Sequence, residues 1–301
     1  MFNATDYLHP KFWPSWIALG FLRVLSWLPL PILALLGKLL GAIVYRSMSK
    51  RREITLINLA TCFPELNEQQ RIRIAKRCFE LIAFTACSIG VNWWASPKRL
   101  ARLVSYEGRE HYDKLVDNAQ NVVMLAPHSI ALEMGALLLS KERPMITMYQ
   151  QSKHPMMDAY IKDRRGRFKG LLVERKAPLR NLLRLIKQGN PFYYLPDQDA
   201  GKKGVFVPFF EQEASTFPML SKFSKMGNAA VLPVYTHILP SGRGWHVVIG
   251  EPVNNFPTDD EIADTARMNQ IIEQMIRSGP QQYFWVHKRF KTQQSGEFYS
   301  T

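Results

Sequence analysis

From Phe12 to Val44 the chain is almost wholly apolar, charged only at Arg23 and Lys38 and interrupted by Pro14, Pro29 and Pro31. A run of this kind can cross a bilayer, lie in its interface, or form two core helices of a soluble domain. Trp16 to Leu36 has about the length that spans a hydrocarbon core roughly 30 Å thick. Trp13, Trp16 and Trp27 suit the headgroup region. A spanning helix must hold Arg23 within the bilayer and absorb the Leu28–Pro31 break. Two interfacial helices, broken at Pro29 and Pro31, avoid both costs. No basic start and no small-residue cleavage site frame the run as a signal peptide. Residues 1–50 are therefore expected to anchor the chain to a membrane, with spanning and interfacial topologies both open. Residues 51–301 are long enough for one further domain.

The formal charge of +14 requires an anionic partner: phosphate-rich lipid, acidic protein or nucleic acid. Its distribution is uneven. Between Lys162 and Lys187 ten Lys/Arg face only Asp163 and Glu174. Arg46, Lys50, Arg51 and Arg52 directly follow the apolar run, as basic residues do on the cytoplasmic face of a membrane. No nucleic-acid recognition motif is visible, and the apolar start disfavours that partner. Cys62, Cys78 and Cys87 are odd in number and form no CxxC pair. This argues against a disulfide framework and against a cysteine-rich zinc site, and a reducing compartment fits.

After the anchor, Asn67-Glu-Gln-Gln70 reads as a capping box opening a long helix with an apolar stripe through Ile72, Ala75, Phe79, Ile82 and Ala86. Short apolar runs then alternate with helical patterns. Strands are predicted at 103–107, 122–126, 145–149, 171–173, 192–195, 205–209, 230–237 and 245–249. Helices are predicted near 109–119, 130–140, 155–165, 179–188, 217–226 and 260–277. This is the pattern of an α/β domain, a mixed central sheet flanked by helices. Sites in such sheets form beyond the carboxyl ends of strands.

One such end carries the most informative residues, Ala126-Pro-His-Ser-Ile-Ala-Leu-Glu133. With Ser129 as the predicted N-cap, His128 precedes the cap and Glu133 is the fourth helical residue. Those two positions meet in a hydrophobic staple. Here the pair is polar, so Glu133 can hold one ring nitrogen of His128 and leave the other to take a proton from an attacking hydroxyl. The same spacing also suits a solvated surface pair; its place after a buried strand is what favours catalysis. No GxSxG elbow and no second ligand at metal spacing accompany it, so neither a serine hydrolase nor a metal site is indicated. Asp197 and Asp199 also follow a predicted strand, before the Gly201–Gly204 turn. They can bind substrate, orient a basic residue or simply form the turn.

Taken in order, several segments resemble the late acyltransferases of lipid A biosynthesis. They are His9-Pro-Lys-Phe-Trp13, Asn58-Leu-Ala-Thr-Cys-Phe-Pro-Glu65, His128-Ser-Ile-Ala-Leu-Glu133, Glu174-Arg-Lys176, Tyr194-Leu-Pro-Asp-Gln-Asp199, Val205-Phe-Val-Pro-Phe-Phe210 and Gln282-Tyr-Phe-Trp-Val-His-Lys-Arg-Phe-Lys291. The resemblance runs over almost the whole chain, and His128 and Glu133 match the family's HX4D/E motif. It implies a fold of the glycerolipid acyltransferase type, attached to the inner membrane by the N-terminal segment with the catalytic domain on the cytoplasmic side. It implies acyl carrier protein as donor of a chain of about C12–C14. The acceptor would be a hydroxyl on an acyl chain of a phosphorylated lipid A precursor; no cofactor is implied. Arg165 aligns with a family arginine. Its guanidinium, and less directly that of Arg175, suits a lipid phosphate or a developing oxyanion. Where relatives often have arginine after the tyrosine matching Tyr149, this chain has Gln150, to which no role is transferred. His154, His237 and His287 are expected to be structural. Two other readings stay open: an acyltransferase acting on a lysophospholipid or other glycolipid, and a non-enzymatic protein that binds anionic membranes.

Overall fold

In a computed structural model, which describes residues 2–299, the apolar N-terminal run is two helices, α1 (Trp13–Leu25) and α2 (Leu30–Ser47). Pro29 in extended backbone ends one path and starts the next, and Pro31 occupies the first turn of α2, where a missing N–H costs nothing. The break expected at these prolines is therefore present. Among the described residues one helix is long and apolar enough to cross a membrane, Leu30–Ser47, and the Trp16–Leu36 stretch is divided between α1 and α2.

Next come α3 (Ser49–Cys62) and α4 (Glu68–Trp94), whose start carries the predicted capping box: Asn67 accepts from the Gln70 N–H, and Gln70 accepts from the Asn67 N–H. The rest alternates: α5 (Pro97–Leu103), β1 (Val104–Glu107), α6 (Arg109–Asp117), β2 (Asn121–Leu125), α7 (Leu132–Glu142), β3 (Ile146–Tyr149), α8 (Pro155–Arg165), β4 (Leu171–Glu174), α9 (Leu179–Lys187) and β5 (Phe192–Tyr194). A hairpin of β6 (Val205–Phe209) and β7 (Gln212–Thr216) follows, then α10 (Leu220–Gly227), β8 (Ala229–Ile238), β9 (Trp245–Ile249) and α11 (Glu261–Arg277). The hairpin's second strand is absent from the sequence reading. Its turn, Phe210-Glu211, has positive φ at both residues without glycine or asparagine to signal it, and Gln212–Thr216 is mostly polar.

The main sheet has seven strands in the order β1-β9-β8-β2-β5-β3-β4. The five from β8 to β4 are parallel; β9 is antiparallel to β8 and pairs in parallel with β1. This is the mixed, helix-flanked sheet that the alternation predicts. The carboxyl ends of the five parallel strands share one edge. Buried side chains from β2, β5 and β8, among them Val123, Phe192 and Val231, form the core against α9, α10 and α11.

The C-terminal segment closes the back of this core. Buried Asn58 on α3 donates through Nδ2 to the carbonyls of Trp285 (2.7 Å) and His287 (2.8 Å) and accepts from the Tyr299 hydroxyl (2.5 Å). Replacing Asn58 with alanine removes a hydrogen-bond partner from each of these groups, and the Tyr299 hydroxyl keeps only the Phe290 N–H. We expect a loss of about 2–4 kcal/mol of stability, read as a lower denaturant midpoint with an unchanged slope.

Candidate active site

β2 and β5 are neighbours in parallel, with Leu125 in register with Tyr194. Three residues beyond each of these partners stand His128 and Asp197. Parallel strands that end in register thus deliver the two side chains to the same point on the carboxyl edge. Asp197 is fully buried and meets His128 twice: Oδ2 accepts from the His128 backbone N–H at 2.8 Å, and Oδ1 lies 2.7 Å from ring Nδ1. A carboxylate there can only accept, so Nδ1 carries the proton and the neutral ring has its lone pair on Nε2. The His128 backbone is also held from the other side. Its carbonyl accepts from the Phe284 N–H (3.1 Å), the Ile130 N–H donates to the Gln282 carbonyl (2.8 Å), and Ser129 bridges Tyr283.

Burial by itself would lower the His128 pKa, but the charge of Asp197 and its hydrogen bond outweigh that and raise it above 6.5. Burial pushes the Asp197 carboxyl up, and the charge and hydrogen bonds of His128 more than offset this, holding it below the usual carboxylate range. A quarter of the His128 side chain stays exposed, so the ring is reachable from the edge.

The expected contact between Glu133 and His128 is replaced by another pairing. α7 begins at Leu132, two residues later than the assignment that made Ser129 its cap, because Ser129 bridges Tyr283 and the Ile130 N–H is spent on the Gln282 carbonyl. Glu133 is consequently the second residue of the helix and no longer one turn above His128. It is gripped by Arg165, the last residue of α8: Nε donates to Oε2 at 3.1 Å, and Nη2 donates to Oε1. This fork uses one edge of the guanidinium. Nη1 has no acceptor among the described residues and remains available as a donor.

Glu133 and Arg165 border a cleft between α7 and the strands, lined mainly by apolar side chains such as Ala136, Leu137, Met145 and Leu195, with the buried Tyr193 at one wall. Arg165 also borders a second, polar cleft with Tyr149, Gln150, Ser152, Asp158 and Lys162. Gln150, where the sequence departs from its relatives, thus faces a cleft that shares Arg165 with the apolar one.

The remaining candidates separate cleanly. Asp199 is a turn residue: its carboxylate accepts from Gly201 (3.2 Å) and from the Thr292 N–H and hydroxyl (both 3.0 Å). Arg175 follows the edge strand β4, three strand spacings or about 14 Å from β2. Its guanidinium lies over the Phe217 ring, 5.9 Å from the centroid, and it joins neither pair described above. His154 caps α8, accepting from the Met157 N–H, and His287 accepts from the Asp199 N–H. His237 packs edge-on against Tyr235. All three histidines hold structure, as expected. Sequence reasoning missed the 282–284 segment as the brace of the His128 loop; only its aromatic run signalled burial.

Comparison with known proteins shows the family. The family model for bacterial lipid A biosynthesis acyltransferase matches residues 2–292. The chain is 31% identical over 295 residues to a lipid A biosynthesis lauroyltransferase of Escherichia coli (strain K12), covering 97% of this chain and 96% of that one. It is 30% identical to a lipid A biosynthesis palmitoleoyltransferase of the same organism (98% and 96% covered) and 28% identical to a myristoyltransferase (97% and 91%). A crystal structure of the 1-acyl-sn-glycerophosphate acyltransferase PlsC from Thermotoga maritima overlaps 82% of this chain and 95% of its own at 18% identity, with a TM-score of 0.38. That likeness is too distant to carry the fold, which rests on the sheet itself. With a full-length family match and relatives aligned over nearly their entire length, the chain belongs to the bacterial lipid A biosynthesis acyltransferases and is an acyltransferase enzyme.

Proposed function

We propose that this enzyme transfers a fatty acyl chain of about C12–C14 from acyl carrier protein to a hydroxyl on an acyl chain of a phosphorylated lipid A precursor. The reading further takes residues 1–50 as a membrane anchor and residues 51–301 as a catalytic domain on the cytoplasmic side of the inner membrane. The observation that carries it is the His128 ring, pinned through Nδ1 by a buried carboxylate with Nε2 left open at the sheet's carboxyl edge. In the reaction, Nε2 removes the proton of the acceptor hydroxyl as its oxygen attacks the thioester carbonyl. The tetrahedral oxyanion is met by the free N–H groups of Arg165, whose guanidinium Glu133 positions. Collapse breaks the carbon–sulfur bond, and the imidazolium returns its proton to the departing thiolate. The apolar cleft beside Glu133 suits the hydrocarbon chain. Basic residues along 162–187 suit acidic carrier protein and lipid phosphate alike.

The test is product mass. Purified enzyme is supplied with acyl carrier proteins of several chain lengths and an under-acylated lipid A precursor. A gain of acyl mass that is lost in Glu133→Ala establishes the reaction and names the chain. No gain with any donor from folded enzyme sinks the lipid A acceptor and brings lysophospholipid acceptors forward.

The pH profile tests the assignment of the base. The ring must be neutral to accept a proton, and its pKa is raised by Asp197, so the acidic limb of kcat/KM should have its midpoint above 6.5. In Asp197→Asn the raising charge disappears while burial still lowers the value. The limb should then move below 6.5 even as the plateau falls about 10²–10³-fold. A limb that stays in place in this variant removes His128 as the titrating base.

A further inference from the structure

α1 and α2 each present one apolar stripe to the outside. Ile17, Phe21 and Val24 are exposed at helical spacing on α1, and Leu35, Leu39 and Ile43 on α2, with Trp13 and Trp27 exposed at the ends of α1. Their opposite faces are committed to the catalytic domain. Gly37 and Gly41 let α2 lie backbone against backbone on α4: a Cβ at Gly37 would fall 2.6 Å from the Phe84 Cα, and one at Gly41 2.4 Å from the Glu80 Cα.

The chain ahead of α2 returns to this same body. The Phe2 N–H donates to Asp163 Oδ1 at 3.0 Å, and the Phe2 ring stands edge-on to Tyr160 with centroids 5.1 Å apart. Gly90 sits under the Leu22 carbonyl, and the guanidinium of Arg99 donates to the carbonyls of Ser26 (2.5 Å) and Leu28 (2.9 Å). Were α2 to cross a bilayer, residues 2–28 would emerge on the far side and every one of these contacts would break.

We infer that α1 and α2 form an in-plane hairpin whose apolar stripes sink into one leaflet of an anionic membrane, so that the protein is monotopic despite a helix long enough to span. This rests on the membrane attachment proposed above and specifies its geometry. Charge complementarity names the occupant: between Asp6 and Glu53 the chain has seven Lys/Arg and no acidic residue. Arg23 lies over the rings of both Trp27 and Trp94, its charge shared at the level where aromatic rings meet headgroups. The hairpin also bears on catalysis. Through Phe12 and Trp16 the start of α1 packs with α8, the helix that ends in Arg165, which brings the two clefts close to the leaflet.

The experiment compares the two ends of the full-length enzyme in bacterial inner membrane. Single cysteines are placed at exposed Ala4 and Ser295, against a background of three buried native cysteines. A membrane-impermeant maleimide is applied to spheroplasts before and after permeabilisation. The in-plane hairpin requires Ala4→Cys and Ser295→Cys to report the same side, and labelling on opposite sides overturns it. Both sites labelling before permeabilisation would keep the hairpin and overturn only the cytoplasmic placement of the domain. The double variant Ile17→Glu/Leu39→Glu should bind phosphatidylethanolamine–phosphatidylglycerol vesicles at least about tenfold more weakly while staying folded. Unchanged vesicle binding overturns the stripes as the lipid contact. So does a detergent-free dimer of the parent enzyme that the double variant dissociates, which would assign the stripes to a second copy of the chain. A parent enzyme that binds no vesicles at all instead overturns the attachment.

Discussion

His128→Ala is expected to lower kcat about 10³-fold, a barrier increase of about 4 kcal/mol, with little change in KM. The reason lies in what the ring does and does not touch. Nδ1 is taken by Asp197, so Nε2 is the nitrogen left for proton transfer, whereas the neighbouring His287 spends its Nε2 lone pair on the Asp199 N–H. Alanine removes that base while leaving Asp197 buried with the residue-128 backbone N–H and the Tyr283 hydroxyl as partners. The carboxylate then loses its counter-charge, and its pKa should climb as burial takes over. A stability measurement must therefore accompany the kinetics. Loss of rate with the fold retained supports the base, whereas a variant that is folded and fully active eliminates it. His128→Gln, which keeps a donor toward Asp197 but no basic nitrogen, should restore stability without restoring rate.

The second large effect is expected at the Glu133–Arg165 pair. Arg165→Ala should cost about 10²–10³ in kcat, the scale on which one preorganised oxyanion donor is worth. Arg165→Lys should recover little, because a point charge cannot hold two oxygens of Glu133 and still offer a fixed third donor. If Glu133 acts by positioning Arg165, then Glu133→Ala on an Arg165→Ala background should add almost nothing: the double variant falls far short of the product of the single losses. Were Glu133 instead the orienting acid of His128, its loss should multiply with that of Arg165 and also move the acidic limb of the pH profile. A multiplicative result together with such a shift would return Glu133 to the role its spacing first suggested.

These outcomes hinge on features of unequal legibility. The buried strand before His128, the turn at Pro127 and the α/β alternation were all readable, because each is a local pattern of apolar spacing and turn residues. The capping box at Asn67 and the break at Pro29 were readable for the same reason, since the groups involved lie within a few residues of each other. The strand Gln212–Thr216 was not: its pairing is made by a neighbour, and neither its composition nor its turn announces it. Asp197 was visible as a residue that could orient a base, but which base was not visible, since 69 residues separate it from His128.

Taken alone, then, the sequence determined that the chain folds as a helix-flanked sheet with a histidine at a strand end, is basic, and begins with an apolar run broken at Pro29 and Pro31. Tertiary structure decided the partners. The in-register ends of β2 and β5 gave His128 to Asp197, and the pairing of Ser129 and Ile130 with Tyr283 and Gln282 delayed α7 and turned Glu133 to Arg165. The packing of α2 on α4 through Gly37 and Gly41 likewise decided which faces of the apolar helices are left outside. Propensity and patterning act over a turn or a strand, whereas a carboxylate's choice between two bases depends on strand register and helix start, which exist only once the sheet has formed.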